Sequence, residues 1–138
     1  MTKLGLADGR ILLMVSLDEA VDILRFRDRD FALLLRGQDA AAPAMARLLE
    51  LACQHHCLDY STVGPDAEQL HDSIDDIVEA HGQLEVLTTW HDPGPDAIDD
   101  ACWYLIHLAG PDAPILIAAI GDDPALRAGL EAAMADPP

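Results

Sequence analysis

The chain has 138 residues, enough for one folding unit with a real core and too few for a second. Apolar residues make up 51% and charged residues 24%, the proportions of a globular protein, although 25 Asp and Glu against 8 Lys and Arg leave a formal net charge of -17. That balance excludes direct binding to nucleic-acid phosphates or to an anionic membrane surface, because both need clustered Lys and Arg.

Residues 1–30 read as an N-terminal extension of a single domain over 1–138. Its apolar run Ile11-Leu-Leu-Met-Val15 is a candidate edge strand. It is too short for a membrane span of roughly 20 residues, and no secretory signal is expected, since Asp18 and Glu19 follow with no small-residue cleavage site. Ser16-Leu-Asp-Glu19 has the spacing of a capping box and predicts a short helix through Leu24.

Four apolar runs then recur at regular intervals and predict strands: Phe31-Ala-Leu-Leu-Leu-Arg36, Leu58-Asp-Tyr-Ser-Thr-Val63, Leu84-Glu-Val-Leu-Thr-Thr-Trp90 and Ile115-Leu-Ile-Ala-Ala-Ile120. Helical periodicity follows each. The first helix is expected from near Asp39 to near His56, with Met45, Leu48, Leu49 and Ala52 on one face and Pro43 in its first turn. The second follows Gly64-Pro65-Asp66, with Asp66 as its cap, Leu70, Ile74, Ile77 and Val78 inward, and Gly82 as its stop. The third begins within Asp92 to Asp96 and turns Ile98, Cys102, Leu105 and Ile106 inward. The fourth opens at Asp123-Pro124, carries Leu126, Leu130 and Met134, and ends before Pro137 and Pro138. Strand and helix in alternation give the expected class: α/β, a small doubly wound, Rossmann-like, mostly parallel sheet of about four strands with helices on both faces. Such sheets bind ligands at the C-terminal ends of their strands.

Charge is uneven along the chain. Seven of the basic residues, including Arg25, Arg27 and Arg29, precede Leu48, and none lies between Leu48 and Leu126. That stretch holds most of the carboxylates and all 6 histidines, so its surface carries a field of one sign. Asp72, Asp75, Asp76 and Glu79 lie opposite an apolar stripe, which makes them either a solvated helix face or a docking face for a basic protein.

Three segments bear on chemistry. Cys53, His56 and Cys57 have ligand-like spacing on a helix, but no second cluster matches them and Cys57 leaves the helix for the next strand, so no metal and no cofactor is expected. An odd count of cysteines without a paired framework points to a reducing, cytoplasmic setting. Thr88-Thr89-Trp90-His91-Asp92 gathers polar, aromatic and titratable residues at a strand end: Trp90 offers a stacking surface, and His91 with Asp92 are the candidate acid and base. The same segment also reads as ordinary strand residues, an aromatic sheet cover and a turn. The turns Arg36-Gly37-Gln38-Asp39 and Ile120-Gly121-Asp122-Asp123 hold one glycine each, with acids where a phosphate would sit, and no nucleophile elbow or zincin motif is present.

The segment Leu84 to Asp92, with its TTWH sequence, and the following Ala101-Cys-Trp-Tyr-Leu-Ile-His107 resemble an uncharacterised bacterial domain family, a domain of unknown function with TTWH at its centre. The resemblance directs attention to Thr88, Thr89, Trp90, His91, Trp103, Tyr104 and His107 and implies no activity. His107, about three turns along a helix that runs away from the strand end, is not expected to share a site with His91.

Two functions compete. The first is a non-catalytic cytoplasmic acidic binding protein, an immunity- or antitoxin-type inhibitor of a basic protein partner, expected from the Lys- and Arg-free stretch and the lack of a catalytic set. The second is a small enzyme or small-molecule sensor with its crevice around Trp90, His91 and Asp92. The balance leans away from an enzyme. Apolar residues on an edge strand also leave a homodimer open.

Overall fold

A computed structural model describes residues 1–26, 29–83, 85–110 and 112–136. Arg27 of the basic cluster, Leu84 at the head of the third predicted strand, and Pro137 and Pro138 lie outside the described residues.

The fold is mixed α/β, with six strands and five helices among the described residues. The strands are β1 (Thr2–Gly5), β2 (Ile11–Val15), β3 (Phe31–Arg36), β4 (Cys57–Val63), β5 (Leu87–Trp90) and β6 (Ile115–Ala119). The helices are α1 (Leu17–Leu24), α2 (Pro43–Gln54), α3 (Ala67–Ala80), α4 (Ala97–His107) and α5 (Pro124–Ala135). They form one sheet in the order β1-β2-β6-β3-β4-β5, parallel throughout except for the antiparallel β1.

The sheet therefore has six strands where about four were expected. The difference lies in residues 1–30, which are an integral part of the sheet. Ile11–Val15 is an interior strand, paired residue by residue with Ile115 to Ala119, and Thr2–Gly5 takes the edge. Alternation along the buried strands sorts the core into two layers. Leu13, Val15, Phe31, Leu33, Leu35, Ile115 and Ile117 pack against α1, α2 and α3 through Val21, Leu24, Met45, Leu48, Leu70 and Ile74. Leu12, Met14, Ala32, Leu34, Leu116 and Ala118 pack against α4 and α5 through Ala101, Leu105, Leu126 and Leu130.

Helix starts follow local chemistry where it is sufficient. Ser16 caps α1 in a full capping box: its Oγ accepts from the Glu19 amide at 3.2 Å, and Glu19 Oε1 accepts from the Ser16 amide at 3.0 Å. Asp123 caps α5 by accepting from the Leu126 amide at 3.0 Å. At α2 a 3-10 turn over Gly37–Asp39 intervenes, so the helix begins at Pro43 rather than near Asp39. At α3 the cap position is Asp66 as expected, but its φ of 61° is left-handed where a capping residue is extended, and it makes no capping bond.

Candidate functional site

The C-terminal ends of the strands, where a doubly wound sheet usually opens its crevice, are tied together here. Arg36, at the end of β3, donates from Nε and Nη2 to Asp39 at 2.8 and 3.0 Å and from Nη1 to Asp123 of the β6–α5 turn at 3.3 Å. The acids that the sequence places where a phosphate would sit are thus occupied by a guanidinium, which their hydrogen bonds and charge hold even more firmly protonated. Gly37 seats against the neighbouring turn: a Cβ there would fall 2.2 Å from the Pro65 carbonyl oxygen and 2.4 Å from the Ala67 amide nitrogen.

The Thr88 to Asp92 segment sits on β5 and just beyond it, at the sheet edge opposite β1. Strand alternation divides its residues between the two layers. Thr88 faces α3 and donates to Asp75 Oδ1 at 2.5 Å, and Trp90 lies on the same side. Thr89 and His91 face α4 instead, where Thr89 Oγ1 donates to the Tyr104 hydroxyl at 3.3 Å and the His91 ring meets the Tyr104 ring edge-on at 5.7 Å. Trp90 and His91 are therefore not brought to one face, and Asp92 is exposed in the turn that follows.

The α4 side holds a polar group that includes residues the sequence reading passed over. A bulge at the start of β4 pairs Phe31 with Cys57 and Ala32 with Asp59, so Leu58 is an extra residue and Asp59 turns to the α4 layer. Asp59 is 0% exposed, as is Ser61 two residues on. The Tyr104 hydroxyl donates to Asp59 Oδ2 at 2.7 Å. Asp59 Oδ1, Ser61 Oγ and His91 Nε2 are buried and have no hydrogen-bond partner among the described residues. Burial pushes the Asp59 carboxyl up to about 6, against the opposing pull of the Tyr104 hydrogen bond, and burial pushes the His91 imidazole below its ordinary value. Tyr104 thus links β4, β5 and α4 through one hydroxyl.

The other candidates separate in space. His107 bonds the Ala133 carbonyl through Nε2 at 2.9 Å and packs against Trp103 with the rings tilted by 46° and their centroids 4.7 Å apart, toward α5, so its contacts differ from those of His91. Cys53 and Cys57 point into the core, near the Tyr60 hydroxyl at 3.4 Å and the Asp59 carbonyl at 3.3 Å, while His56 is exposed at a φ of 69°. Burial raises both thiols, the opposite of what metal binding needs. Among the described residues, His71, Asp72 and Asp75 have ligand atoms within 4.8 Å of one another on α3, with His71 and Asp75 half-buried beside β5 and Asp72 exposed.

Carboxylates surround the β5 edge. Glu68, Asp72, Asp76 and Glu79 are exposed on α3 and Asp75 is half-buried, while Asp92, Asp96 and Asp100 are exposed at the start of α4; Asp99 of the same helix turn lies toward α5. Among the described residues, the Lys and Arg ion pairs join Arg10 to Asp8, Arg25 to Asp22, Arg36 to Asp39 and Asp123, and Arg127 to Glu131, none of which touches this corner.

A family model described as a domain of unknown function (DUF7684) matches residues 11–137, and the chain belongs to that family. No curated protein and no solved structure matches it. No helix among the described residues is long and apolar enough to cross a membrane.

Proposed function

For this member of a family without an assigned activity, we propose a non-catalytic cytoplasmic binding domain that docks a basic protein and neutralises or regulates it, as immunity proteins and antitoxins do. The observation that supports the reading is the exposed acidity around β5, where the ion-pair partner of Asp72 and Asp75 is His71 rather than a Lys or Arg. Exposed carboxylates of α3 and of the α4 start flank one strand, and no Lys or Arg among the described residues pairs them. Such a surface raises the association rate with a cation and repels acidic competitors. Three buried, unbridged thiols suit a reducing compartment. The test is a pull-down with the tagged chain from lysate of the source organism. At about 10 mM salt, where the screening length is about 30 Å, a basic protein should be retained; at about 1 M, where it is about 3 Å, that protein should be released. Retention of no basic protein at low salt would overturn the reading.

A second reading, a small enzyme or sensor, is favoured by the buried Asp59, Tyr104 and His91 group, whose unpartnered polar atoms are the kind a bound molecule satisfies. It predicts pH-dependent binding of a small polar ligand that is lost in Tyr104→Phe and kept in Trp90→Ala, which lies on the opposite face. Ligand binding unaffected by Tyr104→Phe would contradict it.

A further inference from the structure

Strand β5 ends the sheet with one side unpaired. The His91 amide donates to the Thr62 carbonyl of β4 at 3.0 Å, and backbone direction alternates along a parallel strand, so the amides and carbonyls of Thr88 and Trp90 point outward. Among the described residues, no backbone hydrogen bond engages them. Natural edges are usually blunted by Lys, Pro or a bulge. The opposite edge, β1, carries Lys3, but Leu87-Thr-Thr-Trp90 carries none of these and has high strand propensity.

Two further features lie along that edge. Leu87 is 57% exposed, and beside it a cavity of about 680 Å³ is lined by His56, Leu58, Gln83, Val86 and Gly110 together with Leu87 itself. Gln83 gives its amide N–H to the Cys53 carbonyl at 2.6 Å, while its Oε1 has no partner among the described residues. On either side stand the carboxylates of α3 and of the α4 start. These like charges oppose pairing with a second copy of the chain and favour a cationic segment.

We infer that β5 is a strand-addition site: a Lys- or Arg-rich extended segment of a protein partner pairs with Thr88 and Trp90, sets its basic side chains against the flanking carboxylates, and seats an apolar residue over Leu87 in the adjoining cavity. The inference rests on the acidic-surface reading and specifies how that surface is used. Main-chain hydrogen bonds supply affinity in this mode, and alternate side chains supply specificity.

The probe is a synthetic peptide of about eight residues alternating valine with arginine, long enough for a typical strand. Its control is the same peptide N-methylated on alternate residues, which keeps the charge and removes the outward donors. Binding at about 10 mM salt should slow amide exchange at Thr88 and Trp90 about tenfold or more, the methylated peptide should bind at least about tenfold more weakly, and Leu87→Lys should weaken the parent peptide. Leu87 is exposed, so that variant keeps its fold. Equal binding of both peptides, with protection confined to α3, would overturn strand addition and leave the acidic surface standing. Binding of neither would overturn both. A dimer of the chain that protects Thr88 and Trp90 without peptide would replace the basic segment with a second copy and overturn the inference.

Discussion

Replacing Gly37 with alanine is expected to destabilise the protein by about 3 kcal/mol, the upper end of what overpacking costs. The added Cβ would lie 2.2 Å from the Pro65 carbonyl oxygen, 2.4 Å from the Ala67 amide nitrogen and 2.6 Å from the Asp66 carbonyl carbon. All three are backbone atoms at the start of α3, so no side chain can swing aside to relieve the clash. Gly5→Ala is the matched control, because nothing lies within 4 Å of its Cβ position. Chemical denaturation should find that control within about 0.5 kcal/mol of wild type. A Gly37→Ala variant equally close to wild type would show that the β3 and β4 turns are not locked together.

The second large effect is a gain in stability that grows with pH. Asp59→Asn keeps the shape of the side chain and its hydrogen bond to Tyr104 while removing a charge buried at 0% exposure. In the folded protein the Asp59 carboxyl is raised from 3.8 to about 6 because burial disfavours the carboxylate. The native state therefore binds this proton more tightly than the unfolded chain does, and wild-type stability from this group falls as pH rises from about 4 to about 6 and then levels. A displacement of that size corresponds to about 3 kcal/mol. Relative to wild type, the variant should gain about that amount of stability between pH 4 and pH 7 to 8, on top of a pH-independent cost for the amide N–H groups placed where Oδ1 has no partner among the described residues. Urea midpoints across this range check it. A variant less stable than wild type by the same margin at both ends would contradict the assignment.

Much of the fold was legible in the sequence because it is written locally. The apolar runs at Phe31, Leu58 and Ile115, the Ser16 to Glu19 capping box and the Asp123-Pro124 start each carry their own signal. The misplaced part was residues 1–30. Ile11–Val15 reads as a short apolar strand, but its partner β6 lies about a hundred residues away, and pairing over that distance leaves no trace in periodicity. The short β1 exists because β2 offers it a ladder. The Asp66 cap failed for a similar reason: the turn that lets Gly37 approach holds Asp66 in the left-handed region.

The candidate site was partly legible. Thr88, Thr89, Trp90 and His91 were singled out together, and the alternation of a strand already implied that Trp90 and His91 would part. Asp59 and Ser61 carried a usable signal, two polar residues at alternate positions within a buried run. Their direction toward α4 depends on the bulge at Leu58, which only the register with β3 reveals. Tyr104, to which the family resemblance pointed, is the residue that joins the two sets.

The most direct measurement of the acidic-surface reading is a salt titration of affinity for the captured basic partner, comparing wild type with the triple variant Asp72→Asn, Asp76→Asn, Glu79→Gln. These side chains are exposed, so the fold is retained. Between about 10 mM and about 1 M salt, wild-type affinity should fall steeply, and the triple variant should bind at least about tenfold more weakly at low salt with a flatter dependence. Wild-type affinity and an unchanged salt dependence in the triple variant would contradict the account.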